Sequence, residues 1–258
     1  MAEAGHVFLA RIGKTTLRPG GIDATAWLIE QADIQKNTKI LEVACHMGRT
    51  MIQLCERFGC SITGVDLDKE ALSHAEENIK KRGMEDKLKL VHGDAMKLPF
   101  DDRSFDIVIN EAMLTMLIGD DKNKALGEYM RVLKPGGLLL THDVVFFTED
   151  KETQKDLRAG LSRALNVHVE PFDARGWKSV FEKNGFSVRQ KTGALTLMRP
   201  SGMIRDEGLV RVFKIIRNAM KKENRPIFQK MFRYFNGHKD QLGYICTVGT
   251  KPFTGTEV

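Results

Sequence analysis

Residues 39–66, KILEVACHMGRTMIQLCERFGCSITGVD, decide the fold. The apolar run Ile40, Leu41 and Val43 reads as a strand, with the carboxylate of Glu42 near its end. A turn then enters a helical stretch at Gly48 that reaches Phe58, and a second apolar run, residues 61–65, finishes in Asp66. Strand, turn, helix and strand in this order make a βαβ unit. In such units a nucleoside-bearing cofactor lies across the strand ends and an acidic residue grips its ribose hydroxyls. The layout alone leaves open whether that cofactor is a dinucleotide or another adenosine compound.

Working outward, the pattern repeats. Strands are expected at about 87–91, 105–110 and 138–144, with helices at 68–82 and 121–133 between them and a Lys134-Pro135-Gly136-Gly137 turn before the last. Short apolar strands alternating with helices predict a parallel sheet covered on both faces. Upstream, the first 21 residues read as a turn-rich entry ending in Leu17-Arg18-Pro19-Gly20-Gly21, and Asp23 can cap a helix reaching Asp33. Downstream the pattern loosens. Helices are expected at 152–165, 173–184, 206–222 and 226–235, an extended piece at 167–169, and strands from 186 and at 242–248.

A chain of 258 residues suits one α/β domain with insertions. No apolar run approaches the roughly 20 residues of a membrane span, and no signal-peptide core is apparent at the start. Cys45, Cys55, Cys60 and Cys246 form neither a CxxC pair nor a set with zinc spacing, so no metal is expected and a reduced, cytoplasmic setting is the plain expectation. Cys45 reads as a small residue in a tight turn, with a reactive thiol as the sharper alternative. The net charge of +6 is concentrated: residues 209–235 hold eight basic side chains against Glu223 alone, so the remainder of the chain is slightly acidic.

Five stretches in register resemble the class I S-adenosylmethionine-dependent methyltransferases: LEVACHMG at 41–48, TGVDLD at 63–68, HGDAMKLPFDDRSFDIVI at 92–109, the NEAM that follows, and RVLKPGGLLL at 131–140. Ala44 and His46 stand where that family usually has glycine, a departure that bears on the loop's geometry. The resemblance implies an α/β fold with a doubly wound, mostly parallel seven-stranded sheet, whose last strand enters antiparallel, and helical lid insertions. It implies a single domain over 1–258, with a cofactor-binding core at 22–145. Substrate cover is expected from 150–171 and 199–237 with the Arg18–Gly21 turn.

The family's site residues carry over onto matching positions. Glu42 would meet the cofactor's ammonium group, and the backbone of Ala44, Cys45, His46 and Gly48 would line its methionine part. Asp66 has two oxygens for the two ribose hydroxyls, and a mere capping role is less fitting because Asp68 fills it. Asp94 would accept from the adenine amino group, the Ala95 N–H would donate to the ring, and Leu67 and Met96 would sandwich it. Asn110 completes the cofactor set at the carboxyl edge. Glu111 is a candidate base for the acceptor, or a charge that neutralises the sulfonium; His142 is a candidate to polarise the acceptor, or a strand-end histidine satisfied by backbone. Met113, Met116, Met198 and Met203 are pocket liners or core filler.

The expected function is methyl transfer from S-adenosylmethionine to a small molecule, leaving S-adenosylhomocysteine. Open beside it are a membrane-associated or macromolecular acceptor, a nicotinamide-dependent oxidoreductase, and a protein that binds the cofactor without transferring from it. Nucleobase methylation is disfavoured, because Asn110-Glu111-Ala112-Met113 lacks the Asp/Asn-Pro-Pro-aromatic tetrapeptide. In the basic segment Leu209, Val212, Phe213, Ile216 and Met220 share one helical face, with Arg211, Lys214, Arg217 and Lys221 on another. The plain reading is a solvated basic face. An anionic substrate or an anionic membrane surface are the sharper ones, and RNA is the weakest. The oligomeric state is left open.

Overall fold

A computed structural model describes residues 3–253, so the outermost residues of the expected 1–258 domain lie outside the description. The strands are β1 (Lys39–Val43), β2 (Ser61–Asp66), β3 (Leu88–His92), β4 (Phe105–Glu111), β5 (Leu133–Phe146), β6 (Phe172–Asp173), β7 (Ser187–Ala194) and β8 (Leu242–Thr250). They form one sheet in the order β3-β2-β1-β4-β5-β8-β7. The first five strands run parallel, and β8 lies antiparallel between β5 and β7. The doubly wound α/β expectation stands. The count becomes eight because the two-residue β6 pairs with the far end of β5, at Val145 and Phe146.

Strand alternation builds the two faces. Ile40, Ile107, Ile109, Leu140 and Cys246 point into one cluster, under α2 (Gly21–Glu30), α3 (Arg49–Phe58) and α4 (Lys69–Lys80). Leu41, Val108, Leu139 and Ile245 point into the other, against α5 (Asp121–Val132) and α7 (Ala174–Lys183). Packing at the first βα turn is tight. A Cβ on Gly64 would come within 2.5 Å of Met51 Sδ and 2.7 Å of Cys45 Sγ.

A third cluster sits over the sheet's carboxyl edge. It joins Phe8 and Leu9 of α1 (Gly5–Arg11) with Ile12 just after it, Leu157 and Leu161 of α6 (Lys151–Leu165), Met203 of α8 (Pro200–Glu207), Val212 and Ile215 of α9 (Leu209–Ala219), and Met231 and Phe235 of α10 (Arg225–Gly237).

The structure corrects several expectations. The N-terminal segment holds a helix, α1, where only turns were expected. Its seven residues are stabilised by burial of Phe8 and Leu9 rather than by local signals. Asp23 does not cap α2. The helix starts at Gly21, Asp206 of α8 accepts from Ile22 N (3.1 Å), and Asp23 instead pairs with Arg205 (2.6 Å). The Lys134–Gly137 stretch lies inside β5 as an irregularity, where Phe105 pairs with Leu133 but Ile107 with Leu138.

The expected helix at 206–222 is two helices, broken at Gly208. Its orientation differs too. Val212, Ile215 and Ala219 are buried, while Leu209, Phe213, Ile216 and Met220 face outward. No helix among the described residues is long and apolar enough to cross a membrane.

Candidate active site

Register brings the ends of β1, β2, β4 and β5 together. Val43 pairs with Val65 and Asn110, and Glu111 with His142. At the end of β1, Glu42 is buried, and its Oε2 has no hydrogen-bond partner. Burial pushes its pKa up to about 8, partly opposed by the Arg18 guanidinium. The turn that follows is stitched to β2, with Ala44 N and Cys45 N both donating to Val65 O (2.8 and 3.2 Å). Ala44 (φ 60°) and His46 (φ 47°) lie in the left-handed region, as does Gly48 (φ 71°), which opens α3. The non-glycine residues thus keep the backbone path that glycine favours, at a local cost of about 1–2 kcal/mol each.

Asp66 anchors this loop: its Oδ2 accepts from His46 N (2.8 Å) and its Oδ1 from Asp68 N (2.9 Å), leaving lone pairs on both oxygens. Asp68 caps α4 through Glu70 N and Ala71 N, as expected. Leu67 is 68% exposed beside it. Asp94 Oδ1 accepts from Met96 N (2.9 Å), and Ala95 and Met96 pack against the sheet. Asn110 is fully buried and donates to Val43 O (3.0 Å), which ties β4 to β1. Cys45 is buried, and burial raises its thiol pKa.

Glu111 sits in a knot of fixed groups. Arg18 Nη1 lies 3.1 Å from it, Thr25 Oγ1 donates to it, and His142 Nδ1 is 3.3 Å away. Burial opposes its charge, but Arg18 and then His142 and Thr25 overcome this and hold its pKa down at about 2. Such a carboxylate is too weak a base to take a proton near neutral pH. His142 is fully buried, and Nε2 accepts from Gly20 N (2.8 Å), which places the ring proton on Nδ1, toward Glu111. Both ring nitrogens are therefore engaged internally. Asp143 likewise turns inward, accepting from Thr115 N and Oγ1 (both 2.8 Å).

Two hollows flank this edge. A cleft of about 670 Å³ opens onto Arg18, Glu42, the Ala44–Met47 backbone, Arg49, Glu111 and Arg211. A smaller cavity of about 50 Å³, almost wholly apolar, is walled by Leu9, Leu17, Ala112, Met116, Val144, Val167, Leu197 and Phe235, with His6 and Thr115. His6, on α1, went unnoticed in the sequence because nothing marked its segment as a helix. Its Nδ1 is buried without a hydrogen-bond partner. Burial, and then the neighbouring His46, lower its pKa, against the pull of Asp68 and Asp66.

The sequence profile of the methyltransferase domain family matches residues 40–137. The chain is 52% identical over 250 residues to an uncharacterized protein of Haemophilus influenzae, spanning 96% of this chain and 98% of that one. It is 40% identical over 115 residues to demethylmenaquinone methyltransferase of Staphylococcus aureus, a match that spans 44% of this chain and 46% of that enzyme. The fold superposes on the crystal structure of MccD protein with a TM-score of 0.73 at 21% identity, covering 92% of this chain and 100% of the other. The chain carries a methyltransferase domain, and its family profile and fold are those of the class I S-adenosylmethionine-dependent methyltransferases. It is a methyl-transferring enzyme with S-adenosylmethionine as cofactor, and the nicotinamide alternative falls.

Proposed function

We propose that the acceptor is a small apolar molecule whose reactive end enters the cavity between α1, β5 and the cover, and that His6 takes its proton. The cavity wall carries this reading: its side chains are apolar apart from His6 and Thr115. An apolar acceptor loses no hydration there, whereas a charged one would find no partner. The demethylmenaquinone methyltransferase, named for a quinone acceptor, is consistent with this reading.

The donor set fits the cofactor. Buried, unpartnered Glu42 Oε2 suits an ammonium group, the free lone pairs of Asp66 suit a ribose diol, and exposed Leu67 with Met96 suits an adenine face. Asp94 and Ala95 would read the adenine edge, and the Ala44–Gly48 backbone would line the methionine part. When bound, the cofactor supplies a methyl carbon on a positively charged sulfur. Glu111, ionised at any working pH, favours that positive charge without taking a proton itself. His142 positions Glu111, and Asn110 holds the strand ends in register. His6, kept neutral by burial, accepts the proton that the acceptor's nucleophilic atom releases as the new bond forms.

The experiment is methyl transfer from labelled S-adenosylmethionine to a panel of apolar and polar acceptors, with wild type and Val167→Trp. Filling the cavity should raise the apolar acceptor's KM about tenfold or more and leave S-adenosylhomocysteine affinity unchanged. A preference for charged acceptors, or an unmoved KM in a folded Val167→Trp enzyme, would overturn the reading.

A further inference from the structure

The outward face of α9 is neither packed nor merely charged. Leu209 is 71% exposed, Phe213 73%, Ile216 45% and Met220 48%, and they share one stripe beside the buried Val212, Ile215 and Ala219. Lys214, Arg217 and Lys221 lie exposed along the stripe's flank. A solvated face has no use for four large apolar side chains in a row, and soluble monomers rarely expose such a contiguous patch.

We propose that this face docks on an anionic lipid bilayer, with the apolar stripe entering the headgroup boundary and the lysine and arginine ammonium and guanidinium groups meeting lipid phosphates. Charge decides the partner. The segment 209–235 holds eight of the chain's basic residues against one acid, so a second copy of the same face would be repelled, whereas an anionic surface attracts it. An apolar sector beside a basic one is the arrangement of helices that lie in the membrane interface, with long basic stems reaching back to the headgroups. A nucleic-acid face would need base-stacking aromatics along a groove, and here Phe213 stands alone in an aliphatic stripe.

The position of α9 gives the docking a purpose. Asn218 Nδ2 donates to Ile12 O (3.1 Å), joining α9 to the helix that carries His6 and Leu9. Leu209, Arg211 and Lys214 share a cleft with Met47 of the cofactor loop. A bilayer under α9 would therefore lie close to the route by which an apolar acceptor reaches its cavity. The proposal rests on the apolar-acceptor reading for this purpose alone, and its test needs no acceptor.

The test is sedimentation of the full chain with vesicles of phosphatidylcholine, alone or with about one-third phosphatidylserine. Wild type should sediment with the anionic vesicles only, and less so at high salt. Each basic residue near such a surface is worth about a fivefold change in partitioning, so Arg217→Glu/Lys221→Glu should weaken binding about twenty-fivefold or more. Phe213→Ser/Ile216→Ser should weaken it at least about tenfold. Both variants should keep S-adenosylhomocysteine affinity by calorimetry, which shows that they fold. Arg211 stays untouched because it lines the cofactor cleft. The proposal is overturned by absent sedimentation, by sedimentation that neither variant alters, or by a solution dimer that Phe213→Ser dissolves with no vesicle binding. Failure of the acceptor reading would appear separately, in the vesicle-free Val167→Trp assay.

Discussion

Along the cofactor edge, strand register sets Glu42, Asn110, Glu111 and His142 side by side, whereas the acceptor cavity is walled by segments as far apart as α1, the turn after β4, the loop after α6 and the end of α10. The edge is thus specified locally. The cover is assembled by contacts between distant parts of the chain: Glu207 accepts from Thr15 N and Thr16 N (2.9 and 2.7 Å), Pro19 O accepts from Thr196 N (2.7 Å), and Arg11 Nη1 donates to Asn224 (2.9 Å). Under the proposed function, cofactor binding belongs to the first region and the choice of acceptor to the second.

Breaking the cover at its one titratable wall residue should have the largest effect. His6→Ala should lower kcat by about 10²–10⁴-fold, the usual worth of a placed general base, with S-adenosylhomocysteine affinity nearly intact. The acidic limb of the wild-type pH profile should lie below the ordinary histidine range, since burial lowers the His6 pKa, and should vanish in the variant. A kcat within a few-fold of wild type would move proton uptake from His6 to solvent.

Breaking the edge at Asp66 should be milder in rate and severe in binding. Asp66→Ala should weaken cofactor affinity by about 1.5–3 kcal/mol, the scale for hydrogen bonds to a charged group. Because Asp66 also holds His46 N and Asp68 N, part of this loss would be loop order, and Asp66→Asn should recover some of it. Calorimetry on both variants separates the two contributions. An unchanged dissociation constant would remove Asp66 from the ribose site.

The same contrast explains what could be read from the sequence. Residues 39–144 were legible because period-two apolar runs, turn residues and strand-end acids recur in chain order, and Asp68 at the start of α4 and Asp66 at the end of β2 fell where expected. In α1, seven residues are too few to show a helical period, so His6 was invisible. Apolar residues of α9 cover well over half its circumference, so periodicity could not say which third turns inward; the tie from Asn218 to Ile12 settles that. Glu111 and His142 were each placed at the active edge, but their partners come from the turn before α2 (Arg18, Gly20) and from α2 itself (Thr25), whose approach to the edge only the tertiary fold defines.

Glu42 and Glu111 sharpen the comparison within the edge itself, one pKa being pushed up to about 8 and the other held at about 2. Glu42 keeps its proton in the folded, ligand-free protein at a pH where the unfolded chain has lost it. Stability should therefore fall as pH rises above 4.5, by up to about 1.4 kcal/mol per pH unit, and level off near pH 8. Glu42→Gln should flatten this slope in urea titrations. If Glu42 meets the cofactor's ammonium group, binding at pH 6.5–7 should also release about one proton, which calorimetry in buffers of different ionisation enthalpy would detect. Equal slopes for wild type and variant would mean that Glu42 is ionised in the free protein.

The smallest expected effect tests how closely the cofactor loop follows a glycine path. Ala44 sits at φ 60°, and its Cβ makes that conformation cost about 1–2 kcal/mol that glycine avoids. Glycine in turn costs some unfolded-chain entropy, about 0.4–1 kcal/mol. Ala44→Gly should thus be net stabilising by about 0.5–1 kcal/mol, a rise in melting temperature of about 1–4 °C for a chain of this size. The backbone bonds from Ala44 N and Cys45 N to Val65 O should persist, so cofactor affinity should hold or improve slightly. The opposite result, a lower melting temperature with weaker S-adenosylhomocysteine binding, would show that the Ala44 methyl packs to hold the loop in its binding shape. The alanine would then be a fitted part of this enzyme's edge rather than a tolerated departure from glycine.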